Sequence, residues 1–286
     1  MVSQQTSSTQ QQTSSTQRRI SVSSWSLHRT LGSPDIYGVE QAFRLPRATH
    51  NRGQSTLLEL PAKLAEFGIT TLEICHFHLP DLDIHYLSEL RSALRTSNIE
   101  LFSLLIDEGD ITHPTHAERD LIWIERWLEI AEQLGARRAR VIAGKTASDG
   151  ALQRSAQGLK RLSKRAEERG LRLMTENWFN LLRDAQAVHT LFEQLEQHVG
   201  LCLDFGNWKG PDKYAQLASI ASYAESCHTK AHFQNPDTLD HPDYTHCLDI
   251  TREAQFAGPY TLIYDGPSDD EWSGLALERA VVQPYV

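Results

Sequence analysis

The chain is poor in the features that mark several large protein classes. Its 286 residues contain four cysteines, Cys75, Cys202, Cys227 and Cys247, and no two form a C-x-x-C pair. Zinc-knuckle and thioredoxin-type readings therefore fall away. Three of the four sit inside apolar runs, where cysteine usually behaves as a small hydrophobe. A reducing, cytoplasmic compartment without disulfides is expected. No stretch approaches the roughly 18 uncharged apolar residues of a membrane span, and no secretory apolar segment lies near the start. Basic charge is short as well: 28 Lys and Arg against 37 Asp and Glu leave a formal net charge of −9. That balance argues against a broad electrostatic grip on nucleic acid. The first strand-like run is followed by "SSWSLHRTLG", not by the glycine-rich turn that a doubly wound nucleotide-binding sheet prefers.

What is present has a clear order. Residues 1–17 hold only Gln, Ser and Thr after the first two positions, too little apolar surface to offset the entropy of ordering. Residues 1–19 are expected to be a disordered tail and 20–286 a single domain. Beyond the tail, strand-like runs recur as "ISVSSW" at 20, "TTLEIC" at 70, "IELFSLLI" at 99, "ARVIA" at 139, "LRLMTE" at 171, "GLCLDF" at 200, "SCHTKAHF" at 226 and "YTLIYD" at 260. Helical patterns separate them. "STLLELPAKLAEFG" has Ser55 as its expected N-cap, and "ERDLIWIERWLEIAEQLG" puts Leu121, Ile124, Leu128, Ala131 and Leu134 on one face. "SAQGLKRLSKRAEERG" and "DAQAVHTLFEQLEQHVG" are each expected to close on a glycine. Eight strands alternating with helices predict an α/β fold, a single (β/α)8 TIM barrel.

In such barrels the reacting groups sit at the C-terminal ends of the strands. The last four strand-like runs end at Glu176, Asp204, His228 and Asp265, about one βα unit apart. Carboxylates with one imidazole form an oxygen-rich donor set suited to Mg²⁺, Mn²⁺, Co²⁺ or Zn²⁺. Each residue also has an ordinary structural reading: an ion pair for Glu176, a turn cap for Asp204, a core position for His228, a turn for Asp265. Four in phase on consecutive strands are much harder to obtain by accident. Lys230 follows His228 on the same strand face and is a candidate for binding a substrate oxygen, with a structural ion pair as its alternative. Trp25, Trp178, Trp208 and Trp272 fall near strand ends, where aromatic rings suit the C–H faces of a sugar. "CHFHL" places His76 and His78 on one face, and one of the two is read as a substrate contact. "LLIDEGDITHP" adds Asp107, Glu108 and Asp110 as an acidic rim. "DFG" at 204–206 and "AGKT" at 143–146 imitate kinase and P-loop motifs without their required companions.

"TENW", "CLDFGNW" and the His-x-Lys of "CHTKAH" carry a resemblance to the xylose-isomerase-like barrel family of sugar isomerases and epimerases, which also contains apurinic-site endonucleases. The likeness spans roughly residues 20–283 and is most specific from residue 171 onward. It implies one divalent metal ion (Mn, Mg, Co or Zn) held by Glu176, Asp204, His228 and Asp265, the last standing where the family has Glu. It further implies a small-molecule sugar substrate handled through an enediolate, with Glu176 and Asp265 moving protons and His76, Trp178, Asn207 and Lys230 touching the sugar. Asn207 occupies the position of a zinc-binding histidine in the endonucleases, which sets the DNA-repair or other hydrolase alternative lower. A barrel that binds sugar without turnover is the other alternative. Neither a nucleic-acid nor a membrane partner is expected, and homo-oligomerisation is left open.

Overall fold

The computed structural model describes residues 18–32, 36–41 and 53–286. Of the segment read as a tail, 1–19, residues 1–17 lie outside the described residues, whereas Arg18 donates to the Phe256 carbonyl at 2.7 Å and Arg19 opens the first strand, so the expected boundary falls two residues too late. Eight parallel strands close on themselves: β1 (Arg19–Ser23), β2 (Thr71–Cys75), β3 (Glu100–Ile106), β4 (Arg138–Val141), β5 (Arg172–Glu176), β6 (Gly200–Asp204), β7 (Ala224–Thr229) and, beyond a two-stranded hairpin of β8 (Phe233–Asn235) and β9 (Thr238–Leu239), β10 (Pro259–Leu262). β10 pairs with both β7 and β1, so the sheet has no free edge and the doubly wound alternative is excluded. Around it stand α1 (Leu60–Glu66), α2 (Ile84–Thr96), α3 (Ala117–Leu134), α4 (Ala151–Glu167), α5 (Ala185–Leu195), α6 (Lys213–Ile220), α7 (His241–Glu253) and α8 (Glu271–Val282).

The period-two alternation of strands sorts side chains between two environments. Leu72, Ile74, Ala139, Val141, Leu201, Leu203, Tyr260 and Leu262 join the core under the helices. The intervening positions hold Glu73, Arg140, Glu176, Cys202, His228 and Thr261, all buried. α3 buries the expected face of Leu121, Ile124, Leu128, Ala131 and Leu134, and Gly135 ends it in the left-handed conformation that a residue without Cβ adopts freely.

Three local expectations change. α5 ends at Leu195, with Glu196 and Gln197 taking positive φ, so the chain turns before Gly200. Gly200 instead opens β6, where a Cβ would lie 2.4 Å from the Glu225 carboxyl that pairs with Arg172 and Arg138 at the barrel floor. α1 begins at Leu60, not after Ser55; a turn closed by reciprocal bonds between Thr56 and Glu59 precedes it. The run at 226 stops as a barrel strand at Thr229, where pairing with Leu262 ends, and Phe233 belongs to the hairpin and packs on Tyr264 at 5.0 Å.

Candidate active site

The C-terminal mouth of the barrel opens into a cavity of about 270 Å³ whose floor carries Glu176, Asp204 and His228. Their placement follows from neighbouring strand ends: Asp204 is the register partner of His228, and Glu176 that of Cys202. Asn177 clamps the first two strand ends together, donating to the Asp204 carbonyl at 3.1 Å and accepting from the Asp204 N–H at 2.8 Å. The "ENW" that ends β5 is therefore a site carboxylate, a strand clamp and, in Trp178, a cavity wall.

Each carboxylate divides its oxygens between structure and site. Glu176 Oε1 accepts from Asn207 Nδ2 at 2.7 Å, while Oε2 is buried without a hydrogen-bond partner and lies 3.5 Å from His228 Nδ1. Asp204 Oδ1 accepts from the Gly206 and Asn207 N–H groups, both at 2.7 Å, so its turn-capping reading holds. Its Oδ2 nonetheless faces His228 Nδ1 at 3.9 Å. His228 Nε2 sits 2.8 Å from Glu73 Oε2, a carboxylate behind the imidazole that turns Nδ1 toward the cavity. Glu176, Cys202 and His228 offer donor atoms within 4.8 Å of one another, the group of metal-type donors found among the described residues; Asp204 and Asp265 stand outside it.

A guanidinium shares this floor. Arg140, 3 % exposed, places Nη1 2.6 Å from Asp107 and Nε 3.1 Å from Glu176 Oε2, and lies under the Trp178 ring at 5.4 Å. Neither nitrogen is aligned for a hydrogen bond, so the contacts are ionic. Burial raises the Glu176 pKa, with Arg140 and His228 pulling against it. Burial opposes charge on His228 too, but Cys202, Glu176 and Glu73 around it outweigh that and hold its pKa well above the ordinary range. Burial also acts on Asp107, yet the Arg140 guanidinium keeps that carboxyl below its usual value.

A divalent ion fits this donor set. A buried carboxylate oxygen that accepts no hydrogen bond, a second carboxylate oxygen and an imidazole nitrogen oriented by the Glu73 carboxylate behind it face one another. The pull toward a proton at His228 has the same origin, acidic groups converging on one imidazole from both of its nitrogens. The thiol of Cys202 in the same group extends the suitable ions from Mg²⁺ and Mn²⁺ toward Zn²⁺ and Co²⁺.

The other expected residues divide. Trp178, Asn207 and Lys230 line the cavity. Asp265 is drawn to Lys230, with Oδ2 2.6 Å from Nζ, and the cavity wall contributed by its strand end is Ile263. His76 does not reach the cavity: Nε2 donates to the Tyr37 carbonyl at 2.8 Å and Nδ1 accepts the Asp107 N–H at 3.2 Å. Its reading as a substrate contact gives way to that of a satisfied core histidine, and burial lowers its pKa. His78 accepts or donates one hydrogen bond at Nδ1, with Ser24 Oγ at 2.7 Å. Of the tryptophans, Trp25 and Trp178 line the cavity, whereas Trp208 commits its N–H to the Leu182 carbonyl at 2.9 Å and Trp272 packs on Phe67. Phe179 completes the aromatic wall against Trp178 at 4.3 Å, with φ 57°, a left-handed backbone costing about 1–2 kcal/mol in a residue with a Cβ.

Glu73, Arg140, Cys202 and Phe179 were not read as site residues from sequence. A charged residue at an inward position within an apolar strand, as in "TLEIC" and "ARVIA", was the available signal for the first two.

The Xylose isomerase-like TIM barrel family model matches residues 61–278, and the chain belongs to that family. Compared by sequence with curated proteins, it matches none. Among solved structures it is similar to an L-ribulose 3-epimerase (15% identity, 94% of each chain covered, TM-score 0.69). It also resembles D-psicose 3-epimerase of Clostridium cellulolyticum H10 with D-tagatose (14% identity, 93% of this chain and 98% of that one, TM-score 0.68). A xylose isomerase-like barrel protein of Mycobacterium smegmatis in complex with magnesium is a third (14% identity, 93% and 96%, TM-score 0.66). At these identities the likeness is one of fold.

Proposed function

We propose that this protein is a divalent-metal-dependent isomerase or epimerase acting on a sugar or sugar-like polyol. One observation carries the reading: a buried carboxylate with a raised pKa, Glu176, turns an oxygen that accepts no hydrogen bond toward an oriented imidazole on the floor of an aromatic-walled cavity. Family membership and epimerase neighbours agree with it.

Glu176, Asp204 and His228 would hold the ion, with Glu73 fixing the imidazole and Asn207 the carboxylate. A bound ion would supply Lewis-acid polarisation of a substrate carbonyl, which would make the C–H proton at the neighbouring carbon easier to remove. Glu176 takes that proton, its burial matching its basicity to a weakly acidic C–H. Lys230 also lines the cavity, and Asp265 holds it by their 2.6 Å ion pair. The second proton transfer is assigned to this pair, with Lys230 as the member that lines the cavity. Trp25 and Trp178 provide flat faces for the substrate's C–H bonds.

The test is deuterium incorporation from D2O into ketoses incubated with Mn²⁺- or Co²⁺-loaded protein. Exchange at the carbon beside the carbonyl, abolished in Glu176→Gln, is expected. No exchange across the panel, together with incision of abasic DNA, would replace this reading with the nuclease one.

A further inference from the structure

The proposed reading leaves open which polyols the cavity accepts, and its charge arrangement bears on that directly. Four carboxylates line the cavity, Asp107, Glu108, Glu176 and Asp204, against two permanently cationic side chains, Arg140 and Lys230. Both cations already face acids. Arg140 lies between Asp107 at 2.6 Å and Glu176 at 3.1 Å, and Lys230 Nζ is 2.6 Å from Asp265 Oδ2. Beside the cavity, Lys145 meets Glu108 at 2.5 Å and passes over the ring of the lining residue Phe179 at 5.6 Å.

Asp107 Oδ2, buried without a hydrogen-bond partner, is an acceptor, which suits a hydroxyl donor and repels a phosphate dianion. Lys230 is held in place along its stem as well: a Cβ at Gly206 would come within 2.8 Å of its Cδ, so the turn after β6 closes on the side chain. Swinging Nζ away to meet an anion would give up both that packing and the Asp265 pair.

We infer that the cavity is built for an uncharged polyol and against phosphate esters and sugar acids, with Asp265, Glu108 and Asp107 setting that preference by neutralising Lys230, Lys145 and Arg140. The inference rests on the polyol reading of this cavity, but its charge element can be tested alone. A phosphate group entering here must break an existing pair, and close charge pairs that are partly desolvated are coupled strongly enough to make that costly.

Calorimetry on the metal-loaded full chain would compare D-tagatose with D-tagatose 6-phosphate, and inorganic phosphate would serve as a separate probe. The wild type should bind the free sugar at least about tenfold more tightly than its ester and should not bind inorganic phosphate. Asp265→Asn, which frees Lys230, and Glu108→Gln, which frees Lys145, should each narrow that ratio and create phosphate binding. A wild-type protein that binds the ester as well as the sugar, or that binds inorganic phosphate, overturns the inference. So does an unchanged ratio in both variants. If no free sugar binds or exchanges deuterium, the polyol reading fails, while phosphate binding by wild type and variants still decides the charge claim.

Discussion

Two buried histidines stand at the ends of two barrel strands, His76 after β2 and His228 in β7. They resemble each other in sequence setting and differ in everything that matters chemically. His76 gives both ring nitrogens to backbone groups, the Tyr37 carbonyl and the Asp107 N–H. His228 commits one nitrogen to Glu73 and turns the other on Glu176 and Asp204. Burial is shared, yet their pKa values move in opposite directions, down for His76 and far up for His228. A buried histidine becomes a candidate ligand through what its second nitrogen faces, not through its burial or its place on a strand.

The largest effect expected from this contrast is at the acid facing His228. Glu176→Gln should lower exchange or turnover by at least about 10²-fold, the scale of a positioned proton-transfer group. It should also weaken Mn²⁺ binding, read by calorimetry or electron paramagnetic resonance. Full activity in that variant would detach Glu176 from the chemistry.

Next comes the residue behind the imidazole. Glu73→Gln keeps the shape but removes the charge that orients His228, and changing the partner behind a ligating imidazole typically costs about 10–100-fold in metal affinity. An unaltered Mn²⁺ isotherm would reduce Glu73 to a structural acid.

The same experiment at the other histidine should give the reverse result. His76→Leu strands the Tyr37 carbonyl and the Asp107 N–H, each a group whose loss of partner costs about 1–3 kcal/mol. Urea denaturation should register that loss while Mn²⁺ affinity stays unchanged. A variant stable as wild type but deficient in metal would erase the distinction between the two sites.

The smallest effect concerns Asp107, which links the two regions through its N–H to His76 and its carboxylate to Arg140. Its folded-state pKa lies below the ordinary value because Arg140 outweighs the penalty of burial. The pair's contribution to stability is therefore complete above the unfolded carboxyl pKa of about 4 and is lost as pH falls through the lower folded value. Asp107→Asn should be less stable near neutrality and show a shallower decline on acidification in urea melts taken across pH. An acid limb as steep as that of wild type would assign the proton uptake to other carboxyls.

The amino-acid sequence by itself determined the barrel, because period-two strands alternating with amphipathic helices have few other ways to bury both faces. It also determined which strand ends carry Glu176, Asp204 and His228, since those positions follow from strand phase alone. Only the tertiary structure decided their partners. Glu73 lies 155 positions from His228 along the chain and reaches it across the barrel interior. Arg140 and Asp107 meet through the pairing of β3 with β4. Asp265 looked equivalent to the other acids in sequence, but β10 pairs with β7 only as far as Leu262, so Ile263 forms the wall and Asp265 turns to Lys230. Strand phase is local and can be read along a chain. The choice of partner for a charged group is a competition among all charges brought within a few ångströms, and the closed barrel alone sets that distance.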